Sequence, residues 1–324
     1  MRYHELGSSG ISVSAVGLGC NNFGGHDRPR VSDAPVARLD GAHVTAIVLA
    51  ALDAGVTMLD TADIYGNRGG SEELLGIALR GRRSKVVLAT KFGENMGVGS
   101  QARGSRGYVR SALEASLRRL QTDWVDLYYY HRPDRITPID ETLVVLDELV
   151  REGKVRAIGL SNFNREQLEE ALKIDSAYRL TPISALQNAC NLLDPAALWD
   201  LVPRCCVEGV GFVPYFPLAE GLLTGKYRRG RSVPADSRIA RKGFVTEGEL
   251  ERIETLTHFA SERGHTLLEL AVAGLASTPG VASVIAGSTS PEQARDNAAA
   301  GDWLLDPGEF KELREILEEA RDVT

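Results

Sequence analysis

The chain has 324 residues, 37 of them basic and 44 acidic, for a net charge of −7, and 43% are hydrophobic. Charges of both signs are mixed along it, so it lacks the basic stripe of a nucleic-acid binder, and no apolar run reaches the length of a membrane span. The length exceeds an ordinary single domain but admits one large α/β barrel.

The start, Met1-Arg2-Tyr3-His4-Glu5-Leu6-Gly7, has no apolar segment behind a basic head, so no secretory leader is expected. Cysteines at 20, 190, 205 and 206 lack metal-ligand spacing, and neighbours such as Cys205 and Cys206 do not readily bridge each other. Reduced thiols and a cytoplasmic location are expected.

Short runs rich in Val, Ile and Leu then alternate with segments of helical periodicity. Ser14–Gly19 is the first strand, followed by a helix over His43–Ala54. Next come Thr57–Asp60 with helix Ser71–Arg80, Val86–Lys91 with helix Ser105–Leu120, and Val125–His131 with helix Pro138–Glu152. Ala157–Ser161 leads to helix Asn164–Ile174, Ile183–Gln187 to helix Pro195–Val207, and Val210–Tyr215 to a long gap. That gap holds an inserted Gly- and Arg-rich loop, Lys226–Gly243, an extra helix, Glu247–Arg263, and the regular helix Thr266–Ser277. The eighth strand is Val281–Gly287, with helix Pro291–Ala299 and an appended helix, Gly308–Arg321. Ser71 and Asn164 are expected helix caps, and Pro195 and Pro291 suit a first helical turn. Eight alternating units with near-continuous apolar strands predict a single-domain (β/α)8 TIM barrel over 1–324.

In such a barrel the site forms where the strands end. Polar residues close these runs: Asp60, Lys91, His131, Ser161-Asn162, Gln187 and Tyr215, with Tyr65 just past Asp60. Taken singly, each is an ordinary turn or surface residue. Converging, Lys91 would lower the pKa of the Tyr65 phenol, Asp60 would neutralise and orient Lys91, and His131 would be a second hydrogen-bond donor to a substrate oxygen. Such a site protonates an oxygen as negative charge grows on it; carbonyl reduction needs that, plus hydride from a cofactor. Competing motifs fail. Gly17–Gly24 is spaced G-x-G-x-x-x-x-G, not as a dinucleotide fingerprint, and Gly221–Tyr227 departs from a phosphate loop. Gly159–Phe163 lacks the second glycine of a nucleophile elbow, and six scattered histidines make no zinc motif, so no metal is expected.

Three segments, Gly55–Gly66, Gly153–Phe163 and Pro217–Tyr227, together make the chain from about Leu6 to Ala300 resemble the aldo-keto reductases, NAD(P)H-dependent (β/α)8 barrels. It looks closest to the bacterial branch related to the potassium-channel β subunits. The resemblance implies a catalytic tetrad of Asp60, Tyr65, Lys91 and His131, with Tyr65 as general acid toward a carbonyl. It implies that Ser161, Asn162 and Gln187 hold the nicotinamide carboxamide while Tyr215 stacks on its ring. Pro217, Leu218, Ala219 and Lys226 match the loop over the diphosphate, and Gly287, Thr289, Gln293, Asp296 and Asn297 match the adenosine motif. Phe216 stands where a small residue is usual, Ala286 where proline is, and Gln293 where many relatives carry a cation. Arg238, on the inserted loop, matches an arginine that would favour NADP(H), with NAD(H) the alternative.

Small carbonyl or alcohol substrates are implied, with Phe23, Phe92 and Trp303 as candidate apolar walls; neither nucleic acid nor membrane is an expected partner. A cofactor-sensing regulatory subunit of the channel-β kind is the alternative function. A Schiff-base lyase using Lys91 is disfavoured, because a lysine paired with Asp60 stays protonated.

Overall fold

The computed structural model describes residues 1–25, 39–97, 101–227 and 245–319. An antiparallel hairpin, β1 (Tyr3–Glu5) and β2 (Ser12–Ser14), comes first. Eight parallel strands follow: β3 (Val16–Gly19), β4 (Met58–Asp60), β5 (Val87–Phe92), β6 (Val125–Tyr130), β7 (Val155–Ser161), β8 (Ile183–Gln187), β9 (Gly211–Phe212) and β10 (Val284–Gly287). They pair in chain order, and β10 returns to pair with β3. The seam between β9 and β10 closes through bridges from Phe212 to Val281 and from Tyr215 to Ile285. There the Ala282 N–H donates to the Phe212 carbonyl at 2.8 Å and the Ile285 N–H to that of Pro214 at 2.9 Å. The predicted (β/α)8 barrel is the observed fold.

Side chains alternate sides along a strand, and this sorts the core into two layers. Met58, Val87, Ala89, Leu127, Tyr129, Ala157, Ala185, Val213 and Ile285 fill the interior, together with Leu6, Ile11 and Val13 of the hairpin region. The hairpin therefore plugs the end of the barrel where the strands begin, a feature absent from the sequence-based reading. Leu59, Leu88, Tyr128, Tyr130, Leu160 and Leu186 point the other way, into the layer shared with the helices.

The helices are α1 (Gly41–Asp53), α2 (Tyr65–Ala78), α3 (Arg106–Leu120), α4 (Ile139–Arg151), α5 (Arg165–Tyr178), α6 (Ala196–Asp200), α7 (Val202–Glu208), α8 (Glu247–Glu262), α9 (Leu267–Ala276), α10 (Pro291–Ala300) and α11 (Pro307–Glu319). Asn164 forms the expected capping box with Gln167. Ser71 does not cap: it is buried inside α2, bonded to the Thr61 hydroxyl and the Cys20 carbonyl. The helix read over Pro195–Val207 is two, α6 and α7, because Pro203 has no N–H with which to continue the first. The extra helices are α8 and α11.

Packing inside the barrel leaves little slack. A Cβ on Gly159 would lie 2.4 Å from the ring of Tyr129, which is itself fully buried. Gly159→Ala is expected to cost roughly 1–3 kcal/mol by overpacking, read as a lower denaturation midpoint at unchanged slope.

Candidate active site

The interior register of each strand continues upward into polar side chains. Met58 is followed two residues on by Asp60, Ala89 by Lys91, Tyr129 by His131, Gly159 by Ser161, Ala185 by Gln187 and Val213 by Tyr215. Period-two alternation thus aims all six at the same mouth.

Lys91 Nζ donates to Asp60 Oδ2 at 2.7 Å and to the Thr61 carbonyl at 2.8 Å, and lies 3.4 Å from the Tyr65 hydroxyl. Gln187 Nε2 takes the other Asp60 oxygen at 2.9 Å, so the carboxylate is fixed from two sides. Burial alone would pull the Lys91 ammonium down, but Asp60, followed by Tyr65, outweighs it and leaves the group above its ordinary value. A lysine held charged in this way is a poor amine nucleophile, which counts against Schiff-base chemistry.

The Tyr65 phenol corrects one expectation. Desolvation raises it above its ordinary value, and Lys91, acting in the opposite direction, does not overcome this. The ammonium's two shorter bonds go to Asp60 and Thr61, leaving the phenol its weakest partner. Tyr65 therefore carries its proton at neutral pH. Its ring meets that of His131 edge-on, with centroids 5.8 Å apart. Burial, then the charges of Lys91 and Arg132, hold His131 well below the usual imidazole range, so the ring is neutral.

A left-handed turn follows Tyr65 and interrupts α2 before its regular part begins. Gly66, Asn67, Arg68 and Gly69 all have positive φ, at 68°, 62°, 66° and 116°. Left-handed geometry costs a non-glycine residue about 1–2 kcal/mol, so the turn stores strain beside the phenol. Gly66 is obligatory there: a Cβ would come within 2.3 Å of the Ser71 nitrogen and 2.5 Å of the Phe23 carbonyl oxygen.

Beside this cluster Tyr215 donates to Asn162 Oδ1 at 2.6 Å. Asn162 Nδ2 bonds the His131 carbonyl and Ser161 Oγ, both at 3.0 Å, while Asn162 itself sits at φ 59°. Its N–H is held by Asn188 Oδ1 at 2.9 Å, a supporting residue the sequence reading missed. The Thr61 carbonyl was also missed; a main-chain acceptor leaves no signal in side-chain identity.

Residues 15–318 match the profile of the Aldo/keto reductase family. The chain belongs to this family. It is 35% identical over 317 residues to a probable voltage-gated potassium channel subunit beta from Oryza sativa subsp. japonica, covering 94% of this chain and 92% of that protein. It is 33% identical to L-glyceraldehyde 3-phosphate reductase from Escherichia coli O157:H7, covering 93% of this chain and 87% of that protein. The solved structure of a glycerol dehydrogenase from Gluconobacter oxydans superposes with a TM-score of 0.78 at 28% identity, covering 96% of this chain and 93% of that one. This aldo/keto reductase is an oxidoreductase, and its family uses nicotinamide cofactors.

The residues present fit such a group. The partly exposed Tyr215 ring offers a stacking face, the Asn162 amide is bonded to its hydroxyl and to Ser161 Oγ, and the Gln187 amide lies at the same mouth against Asp60. Past Tyr215, Phe216, Ala219 and Glu220 all take left-handed backbone, shaping the loop that contains Pro217 and Leu218; Lys226 lies exposed beyond it. At the end of β10, Asn297 Nδ2 bonds the Gly287 carbonyl at 3.3 Å and Ser288 Oγ at 3.1 Å. Gln293 accepts from the Thr289 N–H at 2.8 Å, and Asp296 is exposed on the same helix. Arg238 lies outside the described residues.

None of the three expected substrate walls lines this mouth. Phe92 follows Lys91 by one residue and so points outward, stacked on Tyr130 with centroids 4.9 Å apart; Phe23 is fully buried in the same outer layer. Trp303 stacks on His265 with centroids 3.9 Å apart, and its carbonyl accepts from Arg2 beside the hairpin. Among the described residues no group of side chains suits a metal ion, and no helix is long and apolar enough to cross a membrane.

Proposed function

We propose that residues 1–324 act as one barrel domain that reduces an aldehyde or ketone with NADPH, with Tyr65 delivering the proton to the substrate oxygen. The observation that carries this is the chain of contacts from Gln187 through Asp60 and Lys91 to Tyr65. A protonated phenol backed by a fixed ammonium can give up its proton as charge develops on the oxygen, because the phenolate left behind is stabilised by that ammonium. His131, held neutral, supplies a second donor to the same oxygen. The dihydronicotinamide supplies the hydride when bound. Ser161, Asn162 and Gln187 orient its carboxamide, Tyr215 covers one ring face, and Pro217, Leu218, Ala219, Lys226, Gly287, Thr289, Gln293, Asp296 and Asn297 bind its remainder. Alcohol oxidation is the same path reversed.

Preference for NADPH over NADH rests on Arg238, since Gln293 supplies no cation. The test follows NADPH and NADH oxidation over a panel of aldehydes, ketones and sugars, with Arg238→Ala alongside. A tenfold or greater preference for NADH that Arg238→Ala leaves unchanged would sink the cofactor assignment. Tyr215→Ala is expected to weaken NADPH binding by roughly two- to tenfold, the loss of about 0.5–1.5 kcal/mol of stacking, read by fluorescence titration.

The likeness to the plant channel subunit beta supports a second reading, in which the same pocket binds NADPH and slow turnover reports its redox state. Rapid turnover on any member of the panel would count against it; co-purification with a channel protein would favour it.

A further inference from the structure

Between Asp60 and Tyr65 lies a second acid that the mechanism does not use. Asp63 is only 1% exposed, neither of its carboxyl oxygens meets full hydrogen-bond geometry with a described residue, and the adjacent Ile64 N–H is the one donor that favours its ionised form. Charged and titratable groups act on it from every side: Glu72 on α2, Arg119 and Tyr108 on α3, Tyr128 on β6, and Glu94 just past β5. The cation among them is committed. Arg119 Nε binds Glu72 Oε2 at 2.7 Å, while the other Glu72 oxygen accepts from Thr90. Glu94 is paired with Arg132 at 2.8 Å. The Tyr108 hydroxyl is directed at the Glu94 carbonyl at 3.2 Å, and the buried Tyr128 hydroxyl has no partner among the described residues. An ionised Asp63 would thus be a buried charge beside a second carboxylate, and Arg119, the cation that acts on it, is already bound to that carboxylate.

We propose that Asp63 is held as the neutral acid at working pH and is a positioning residue for Tyr65, its ionisation releasing the segment that carries the phenol and so setting the alkaline limit of turnover. This rests on the reading of Tyr65 as the proton donor. The mechanical link is short. The Asp63 N–H donates to the Lys91 carbonyl at 3.1 Å and the Tyr65 N–H to that of Ala62 at 3.1 Å, with one residue between the two donors. Expelling the Asp63 side chain toward water therefore shifts the phenol relative to the Lys91 ammonium. Burial, reinforced by the negative charge of Glu72, pushes the Asp63 carboxyl well above its ordinary value, in agreement with the geometry. The sign follows: the neutral form is kept as pH falls and lost as pH rises through the folded-state value.

The test compares wild type with Asp63→Asn, which keeps the shape and removes the charge. At neutral pH the wild-type enzyme should show the infrared C=O stretch of a protonated carboxylic acid that is missing from Asp63→Asn. The alkaline fall in kcat should move to higher pH by about one unit or more in the variant. Absence of that band, or superimposable pH profiles, overturns the proposal. Should Asp63→Asn not fold, hydrogen–deuterium exchange of wild-type residues 61–65 carries the test. Exchange that rises beyond its intrinsic pH dependence as kcat falls supports the proposal; exchange that follows the intrinsic rate alone overturns it. Turnover surviving in Tyr65→Phe would remove the proton-donor reading while leaving the infrared result intact, so the two failures are distinguishable.

Discussion

Replacing Tyr65 by phenylalanine is expected to lower kcat for carbonyl reduction by roughly 10²- to 10⁴-fold, the range for loss of a positioned general acid. The ring stays, so its edge-on packing against His131 and its place above the Lys91 ammonium stay with it. NADPH affinity, followed by fluorescence, should remain near the wild-type level, which separates a chemical defect from a binding one. Because desolvation raises the phenol above its ordinary value, the proton it donates is present throughout neutral pH. Its own loss can only depress reduction on the alkaline side. Wild-type turnover in Tyr65→Phe would mean that another group moves the proton.

The Lys91–Asp60 pair gives the second large effect. Both side chains are buried, with Lys91 at 0% and Asp60 at 3% exposure, so removing either one strands its partner's charge. Lys91→Ala or Asp60→Ala is expected to cost about 3–5 kcal/mol in stability, measured by denaturant unfolding. The double variant Lys91→Met with Asp60→Leu should recover most of that loss, because desolvating the pair offsets much of its attraction. Activity should not return with it: the double variant has no cation to stabilise a developing phenolate. A double variant that regained turnover would show that the pair is structural and that proton delivery proceeds without it.

Much of this was legible in the sequence. Strand positions could be read because the buried parallel strands are near-continuous apolar runs, such as Val86-Val87-Leu88-Ala89 and Val155–Leu160. Boundaries at β9 were less so, since only Gly211–Phe212 keeps ladder pairing and the run continues through Pro214. The hairpin over Tyr3–Ser14 escaped because strands of three residues carry too little pattern to stand out. Phe92 was misplaced for a simple reason: an aromatic residue next to a lysine at a strand end looks like a pocket wall, yet one step along a strand reverses its direction.

Sequence by itself determined which polar residues end the strands, because that depends only on where each apolar run stops. It thereby singled out Asp60, Lys91 and His131, with Tyr65 just past the first, as residues that meet at one end of the barrel. Only the tertiary structure decided how those groups share their charges. The Asp60 carboxylate is divided between Lys91 and Gln187, the phenol is held above its ordinary value despite the ammonium, and Asp63 is buried within the field of Glu72, to which Arg119 is bound. Desolvation and pairing depend on what surrounds an atom in three dimensions, and residues 31 and 127 positions apart in the chain supply those surroundings.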